Sequence, residues 1–390
     1  MPKTHLGVLF GGRSVEHEVS IVTGYQVIEA VHRDRYDVTP IYIGRDNVWY
    51  IGEKLALISF FRQDHPPLNL LTRVVPCPDP SRGKLILIEA KGGLFKKRKE
   101  MALDVILPAT HGTFVEDGCL QGLLEMAGVP YAGSDVRGST VGMDKELTKA
   151  VLAAAGIPHQ PYQMVTRELL EQIRNQKSEI RNFDYPVIVK PAILGSSVAV
   201  SQASNRSGLE AALDLALRFC DRALVEPALI EATEINCSVL DGDPPLPSLL
   251  EQPVKPGVVL TFDEKYKAGG GKKANSSPTG KGLGMAGQQR LIPAPLDDTT
   301  TARIKALAVD TFQSIGAGGV ARVDFLIAKT GEVYVNELNN IPGSLSYYLW
   351  EPLGKSFGDL IDRMVDRAFE VNKRRNRTTF SFEANLLAGR

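Results

Sequence analysis

Two short apolar runs near the C-terminal end constrain this chain more than any other feature. The first run covers residues 321–327, and a polar turn at residues 329–331 separates it from the second. Apolar runs joined by a short turn that contains glycine predict a β-hairpin. Since side chains alternate along a strand, Arg322 and Asp324 share one face of the first strand. Folding at the turn then brings Glu337 opposite Asp324.

The polar residues of this hairpin predict a site for a hard cation. The same alternation groups four side chains on one face of the second strand: Val333, Val335, Glu337 and Asn339. The carboxylates of Asp324 and Glu337 and the amide oxygen of Asn339, beside Arg322, suit Mg²⁺ that carries substrate phosphates. Taken alone, these residues are also compatible with a hairpin that has ordinary solvated charges.

Length and composition indicate a globular protein of two or three domains. The chain has 390 residues, of which 43% are hydrophobic and 23% are charged. Lys plus Arg and Asp plus Glu both number 45, so no general attraction to nucleic acid or to anionic membrane is expected. No apolar run approaches the ~18 residues that a membrane helix needs. The cysteines lack paired spacing, which predicts free thiols and a cytoplasmic location. They are Cys77, Cys119, Cys220 and Cys237.

The N-terminal part has the pattern of a parallel α/β sheet. A strand at residues 6–10 stops at two glycines, a helix follows from about 20 to 31, and a second strand covers 38–43. Residues 62–100 contain many prolines and are predicted to be irregular. The basic run at 96–99 is predicted to be an exposed loop.

Further along, the pattern predicts two more structural parts and a polar tail. The predicted domains are 1–139, 140–230 and 231–375, followed by a tail at 376–390. The other predicted elements are helices at about 120–127, 145–155, 209–219, 301–315 and 357–373, and strands at 105–108, 187–190, 198–200, 224–226 and 234–240.

A long glycine-rich segment precedes the hairpin. Residues 265–296 contain six basic residues and no Asp or Glu, and seven glycines lie between Gly269 and Gly287. A plain linker has a similar composition. The position inside a domain, directly before the hairpin, favours a mobile cationic lid at residues 263–290.

The chain lacks the common nucleotide-binding fingerprints. The segment that starts at Gly11 does not match G-x-G-x-x-G, and Gly354 lacks the upstream glycine of a G-x-x-x-x-G-K-[ST] loop. Lys190 ends a strand and precedes a turn with two hydroxyls, Ser196 and Ser197, which suits phosphate oxygens. Lys145 could supply a second cation.

Several blocks, taken in order, resemble the signatures of the D-alanine–D-alanine ligases. The resemblance spans about residues 6–370 and implies an ATP-grasp fold, in which a parallel, Rossmann-like α/β N-terminal domain precedes two α+β parts that clasp ATP. The blocks are Gly11 to Ser20, His111 to Gly122, Met143 to Lys145, Lys190 to Val198, Lys265 to Tyr266, and Arg322 to Gly343.

This resemblance implies a reaction and its small-molecule partners. ATP phosphorylates the carboxylate of one D-alanine, and the amine of a second D-alanine attacks the acyl phosphate to give a D-dipeptide for peptidoglycan precursor synthesis. Two Mg²⁺ (or Mn²⁺) ions assist, held by Asp324, Glu337 and Asn339. The family also suggests a homodimer formed through the N-terminal domain.

The resemblance also assigns roles to individual residues. On the nucleotide side, Glu226 and the backbone near Leu229 meet the adenine, and Glu234 meets the ribose. The residues assigned to the rest of the nucleotide are Lys145, Lys190, Ser196, Ser197, Lys265, Asn336 and Glu337.

On the amino acid side, Glu16 binds the ammonium of the first substrate, and Ser196 and Tyr266 hydrogen-bond with Glu16 to lock the lid. Arg322 and the Gly343 N–H stabilise the oxyanion of the tetrahedral adduct. His111 lies near the carboxylate of the first substrate; the alternative is a packed, neutral histidine.

One departure from the family pattern concerns the second substrate. Where the family has a Ser-Leu pair that holds its carboxylate, this chain has Tyr348 and Leu349. A phenol donates from further away, and Ser346 could substitute. An acceptor such as D-serine, D-lactate or another amino acid therefore stays open. A non-catalytic nucleotide-binding regulator is disfavoured, since every metal-binding and phosphate-contacting residue type is present.

Overall fold

The computed structural model describes residues 2–63, 65–91, 98–175, 180, 183–254 and 290–381. Within them, three β-sheets follow one another along the chain, and α-helices cover their faces. No helix in the described ranges combines the length and the apolar character needed to cross a bilayer.

The first sheet has the order β6-β5-β4-β3-β2-β1-β7. Its β1 strand is parallel to both β2 and β7, and the remaining pairs are antiparallel. The sheet is therefore mixed, and the predicted strand–helix–strand start is confirmed. Its elements are β1 Thr4–Gly11, α1 His17–Ala30, β2 Tyr36–Ile43, β3 Trp49–Ile51, α2 Ile58–Phe61, β4 Thr72–Cys77, β5 Leu85–Glu89, β6 Glu100–Leu103, β7 Val105–Pro108 and α3 Cys119–Met126.

The prediction that residues 62–100 are irregular is wrong, because β4 and β5 lie there. Prolines usually argue against a strand in the middle of a sheet. Here β3 pairs only with residues 72–74 of β4. Pro76 lies beyond that pairing, so its missing N–H removes no hydrogen bond to β3. Lys96 and Lys97 of the basic run lie outside the described residues, and Arg98 and Lys99 are exposed, as predicted.

The second sheet is small and antiparallel, with the order β10-β9-β11-β8. A strand was predicted at residues 198–200, but Ser197 and Ala199 have φ angles of 57° and 58°, so the chain turns there and β10 begins at Ser201. The elements of this part are α4 Val136–Met143, α5 Lys145–Ala154, β8 Gln163–Thr166, α6 Arg167–Arg174, β9 Val187–Pro191, β10 Ser201–Ala203, α7 Arg206–Ala216 and β11 Arg222–Pro227.

The third sheet has the order β14-β13-β12-β15-β16 and contains the predicted hairpin. The predicted lid lies outside the described residues except for Arg290, and the tail does so from residue 382. The elements are β12 Thr233–Leu240, β13 Leu246–Pro253, β14 Arg290–Leu291, α8 Asp298–Ile315, β15 Val320–Ile327, β16 Val333–Asn339 and α9 Phe357–Arg375.

A β-bulge in the hairpin determines which side chains lie on the same face of the sheet. Asp324 pairs with Glu337, as predicted, but the next pair is Phe325 with Val335, so Asn336 is an extra residue. Beyond the bulge, Leu338 joins Val335 in the core. The predicted grouping of Val335 with Glu337 on one face is therefore wrong, since the bulge turns Glu337 toward the other face.

The last helix completes the core of the first sheet. Leu360 and Ile361 of α9 pack in one buried cluster with Leu6 and Val8 of β1. An ion pair between Arg35 and Asp362, 2.7 Å long, ties the segment between α1 and β2 to the same helix. The two ends of the chain thus share one hydrophobic core.

Replacing Phe325 by Ala should destabilise the protein by about 3–5 kcal/mol, because a buried aromatic ring leaves a cavity that its neighbours fill only partly. Phe325 is fully buried, whereas Phe369 on α9 is 40% exposed. Phe369→Ala is therefore the matched control and should change stability by less than about 1 kcal/mol. Urea unfolding followed by circular dichroism measures both variants, and equal losses would contradict the core assignment.

Candidate active site

A cleft lined by residues from the units of all three sheets lies where the sheets meet. It receives side chains from the start of α1, the loop after β7, helix α5, the turn after β9 and the hairpin. Nine of the predicted site residues line this cleft. They are Glu16, His111, Lys145, Ser196, Arg322, Asn336, Glu337, Asn339 and Gly343.

Glu16 and Ser196 join the first unit to the second across one wall of the cleft. Both side chains are buried, and Ser196 Oγ donates a hydrogen bond to Glu16 Oε1. Ser196 lies in a left-handed turn with φ of 54°. A Cβ atom at Gly195 would come within 2.7 Å of Glu16 Oε2, so a larger residue there would displace the carboxylate. The geometry agrees with the predicted Glu16–Ser196 hydrogen bond.

His111 forms a second part of the wall. It follows β7 and is buried, and its Nε2 lies 2.8 Å from Thr23 Oγ1. Burial lowers the pKa of His111 to about 4; a backbone hydrogen bond with Ile341 acts in the opposite direction but is outweighed. The imidazole is therefore neutral at physiological pH while it faces the cleft.

Glu116 is a buried acid of the cleft to which the sequence assigned no role. Its Oε2 accepts a hydrogen bond from the Gly112 N–H and its Oε1 one from the Ile341 N–H, each 3.0 Å long. Burial and the charge of Glu16 raise the pKa of Glu116 to about 8. Glu116 thus ties the first unit to the chain that leaves the hairpin. It lies inside the His111 to Gly122 block, but nothing in that block identified its long-range partner.

Arg322 lines the cleft and forms a bidentate ion pair on β15 with Asp324, which is buried and is not among the lining residues of the described chain. Arg322 Nε lies 2.6 Å from Asp324 Oδ1, and Arg322 Nη2 lies 2.7 Å from Asp324 Oδ2. Asn339 Nδ2 donates to the same Oδ2 at 3.1 Å. Burial raises the pKa of Asp324 to about 6, against the opposing effect of Arg322 and with a further rise from Glu337.

The oxygen atoms of the hairpin are chemically suited to Mg²⁺. In the described part of the chain, no three His, Cys, Asp or Glu residues converge in a ready-made metal site. The donors are two carboxylates, Asp324 and Glu337, and the amide oxygen of Asn339. Such a set leaves coordination positions for phosphate and water oxygens, which is how Mg²⁺ is usually held beside a nucleotide.

Two predicted phosphate-binding lysines lie beside this set. Lys145 is buried at the start of α5, and its Nζ donates to Leu194 O at 2.5 Å. Burial lowers the pKa of Lys145, against the attraction of Glu337. Lys190 Nζ lies 3.1 Å from Asn336 Oδ1, the residue that the bulge adds. Lys145 therefore lines the cleft itself, whereas Lys190 contacts Asn336, a lining residue of the hairpin.

The residues predicted to bind adenine and ribose lie at the end of the second unit and at the start of the third. Glu226 is buried on β11, and its carboxylate is 2.5 Å from Lys190 Nζ. Leu229, just after β11, and Glu234, on β12, are half-buried, as is Ser197. Their contacts with a nucleotide stay predictions. Lys265 and Tyr266 lie outside the described residues.

The predicted second-substrate residues are not among those that line the cleft in the described part of the chain. Ser346, Tyr348 and Leu349 are buried in the turn that follows Gly343. The physical reason is a left-handed stretch, Ser344 to Ser346, with φ angles of 56°, 48° and 50°. It directs the chain away from the cleft and into the core.

Tyr348 has partners inside the protein. Its hydroxyl donates to Glu251 Oε1 at 3.2 Å, and the Arg290 guanidinium lies 3.8 Å from the centre of its ring. Arg290 Nη1 also binds Glu251 Oε2 at 2.7 Å. The phenol that replaces the family's serine is thus part of a buried Tyr–Glu–Arg network.

Comparison with known families decides the relationship that these residues suggest. A family profile described as D-ala D-ala ligase N-terminus matches residues 5–134, and one described as D-ala D-ala ligase C-terminus matches residues 151–366. The chain belongs to the D-alanine–D-alanine ligase family. The family is ATP-dependent, and its fold is the ATP-grasp fold, as predicted.

Similar proteins cover almost the whole ligase chain. The D-alanine–D-alanine ligase of Thermosipho africanus (strain TCF52B) is 36% identical over 387 residues, which is 98% of each chain. That of Heliobacterium modesticaldum (strain ATCC 51547 / Ice1) is 38% identical over 373 residues, or 94% of each.

Two solved structures are also similar to this chain. The D-alanine-D-alanine ligase from Coxiella burnetii is 27% identical, with 97% of each chain covered and a TM-score of 0.77. The VanG D-Ala:D-Ser ligase from Enterococcus faecalis is 26% identical, with 94% of this chain and 100% of that chain covered and a TM-score of 0.74.

The ring of His111 should stay neutral from pH 8 down to about pH 5.5. Its folded-state pKa lies below the ordinary value of about 6.5, so protons bind preferentially to the unfolded chain. Its contribution to stability is complete above pH 6.5 and is lost as the pH falls toward 4. Carbon-13 NMR of labelled histidines, assigned with His111→Gln, measures the titration. A His111 signal that moves midway between pH 6 and 7 would contradict the neutral assignment.

Proposed function

We propose that this protein joins two D-alanine molecules to a D-dipeptide, with hydrolysis of ATP to ADP and phosphate, for peptidoglycan precursor synthesis. One observation carries the proposal beyond family membership. The hairpin oxygens, the Lys145 ammonium and the Glu16–Ser196 pair converge on a single cleft. An enzyme that must bring triphosphate and an amino acid carboxylate together needs this combination.

At the nucleotide end, the protein supplies positive charge and oxygen donors from rigid elements. Lys145 and Lys190 would contact phosphate oxygens, and Asp324, Glu337 and Asn339 would hold two Mg²⁺ (or Mn²⁺) ions. When bound, these ions neutralise phosphate charge and polarise the oxygens of the transferring group. The transfer to the carboxylate of the first D-alanine gives an acyl phosphate and ADP.

At the amino acid end, each predicted group has a matching position in the cleft. Glu16 is a buried carboxylate suited to the ammonium of the first D-alanine. Arg322 uses Nε and Nη2 for Asp324, which leaves Nη1 for an oxyanion. The Gly343 N–H is the second proposed donor. The amine of the second D-alanine attacks the acyl carbon, and the adduct collapses to dipeptide and phosphate.

The neutral state of His111 supports its proposed position near the first substrate's carboxylate. A neutral imidazole can donate or accept one hydrogen bond without adding a charge beside Arg322. The contact with Thr23 fixes the ring in that orientation.

D-Alanine is the proposed acceptor because relatives that align with at least 94% of this chain are named D-alanine–D-alanine ligases. A similar fold also occurs in the VanG protein of Enterococcus faecalis, which is described as a D-Ala:D-Ser ligase. Tyr348 is bound to Glu251, so the second-substrate carboxylate is proposed to rely on backbone donors near Gly343. A homodimer, a cytoplasmic location, the domain limits 1–139, 140–230 and 231–375, and a lid that carries Lys265 and Tyr266 belong to the same proposal.

The activity is tested by coupling ADP release to NADH oxidation, first with D-alanine as the sole amino acid. We expect ADP and D-alanyl-D-alanine in equal amounts, and no turnover with L-alanine. A panel of D-serine, D-lactate and other D-amino acids added to D-alanine tests the acceptor. Turnover that requires one of these would replace D-alanine as acceptor, and absence of ADP with every combination would refute ligase activity.

Glu337→Gln should reduce kcat by at least ~100-fold, because it removes the charge of one metal-binding carboxylate without changing its volume. Glu332→Gln is the matched control, since Glu332 lies in the same hairpin and is exposed. It should leave kcat unchanged. Both variants should keep the wild-type unfolding midpoint. Near-normal turnover by Glu337→Gln would remove Glu337 from the proposed metal site.

A further inference from the structure

Lys149 is a fully buried lysine that the proposed reaction does not use. Its side chain is 1% exposed, in a helix whose outer face is solvated. It follows Lys145 by four residues, so the two side chains project from the same face of α5. A lone buried ammonium is costly unless it is paired, so its partners indicate its purpose.

The carboxylate of Glu226 binds one lysine on each oxygen. Lys149 Nζ lies 2.5 Å from Oε1, and Lys190 Nζ lies 2.5 Å from Oε2. Glu226 itself is 2% exposed, so both contacts are shielded from water. The pKa of Glu226 is lowered, since the two ammonium groups outweigh the effect of burial.

The two lysines differ in what else they touch. Lys149 also donates to Gln160 O at 3.3 Å, and its Nζ lies 5.7 Å from the centre of the Tyr162 ring, so it points into the second unit. Lys190 instead donates to Asn336 Oδ1, and Asn336 lines the cleft. Only Lys190 is therefore placed to reach a bound nucleotide.

The charges of this triad do not balance. Two ammonium groups share one carboxylate, which leaves one excess positive charge in a buried site. Lys145 is close enough for repulsion from Lys190 to lower its pKa further after burial has done so. One lysine is enough to neutralise the Glu226 carboxylate. The second ammonium can therefore pair with an anion that binds in the cleft.

We propose that Lys149 is a positioning residue: it serves as the permanent counter-ion of Glu226, which frees Lys190 to bind a phosphate oxygen of the nucleotide. If Lys190 were the sole partner of Glu226, its movement to phosphate would leave a buried carboxylate unpaired, and that penalty would be subtracted from nucleotide affinity. This inference rests on the proposed nucleotide site.

Replacing Lys149 by Met tests the inference, because Met keeps the length of the side chain and removes its charge. We expect the Kd of the non-hydrolysable analogue AMP-PNP with Mg²⁺, measured by calorimetry, and the KM for ATP to rise at least ~10-fold, about 1.4 kcal/mol. The KM for D-alanine should stay within about twofold, because Lys149 does not reach the amino acid end. Lys373→Met, which removes an exposed lysine of α9, is the control and should change neither constant.

A second pair of variants separates action through Glu226 from direct or purely structural effects. In a Glu226→Gln background no buried carboxylate needs a counter-ion, so adding Lys149→Met should change the AMP-PNP affinity by less than about threefold. A merely structural lysine, or one that binds the nucleotide itself, would lower the affinity in both backgrounds. If Lys149→Met alone does not fold, a loss of AMP-PNP affinity on adding Lys149→Met to Glu226→Gln would still overturn the inference.

Each outcome has a defined meaning. Folded Lys149→Met with wild-type AMP-PNP affinity, or an equal loss with Gln at position 226, overturns the role of Lys149 but leaves the proposed function in place. Wild-type protein that binds no AMP-PNP overturns the proposed function itself.

Discussion

Burial of charge in matched pairs is the constraint on which the cleft depends. Arg322 and Asp324 are both buried on β15, so both charges lose their hydration. Their bidentate geometry gives two parallel hydrogen bonds, which offset the free-energy cost of that loss. Since the two residues lie two positions apart on one strand, Asp324 holds both Arg322 and the Asn339 amide, which line the cleft. The site is thereby organised before any substrate binds, which is the condition for strong electrostatic stabilisation of a reacting group.

Local patterns were sufficient to predict the hairpin and the Asp324–Glu337 pairing, because both follow from alternation and a short turn. The bulge was not predicted, although the sequence contains its signal. Apolar residues occur at 333, 335 and 338, so the spacing changes from two to three where Asn336 is inserted. Strand β4 was missed for a different reason. The prolines before residue 82 argued against a strand, but Pro76 lies beyond the pairing with β3 and removes no hydrogen bond to it.

The parts of the site that the sequence did not reveal depend on contacts between distant residues. Tyr348 and its partner Glu251 are 97 positions apart, and no local pattern links them. Glu116 accepts a hydrogen bond from Ile341, 225 positions away. This contact links the first unit to the segment that follows the hairpin. Motifs predict the residues that meet a ligand, whereas the groups that hold those residues in place emerge only from the folded chain.

The packing of α9 against β1 has a consequence for how the protein is made. Leu360, Ile361 and Met364 complete a core whose other members, Leu6 and Val8, are synthesised more than 350 residues earlier. Until α9 has emerged from the ribosome, the nascent chain therefore lacks part of this core, although α1 already packs in the same cluster. Its first unit can reach its final stability only after the last helix has emerged.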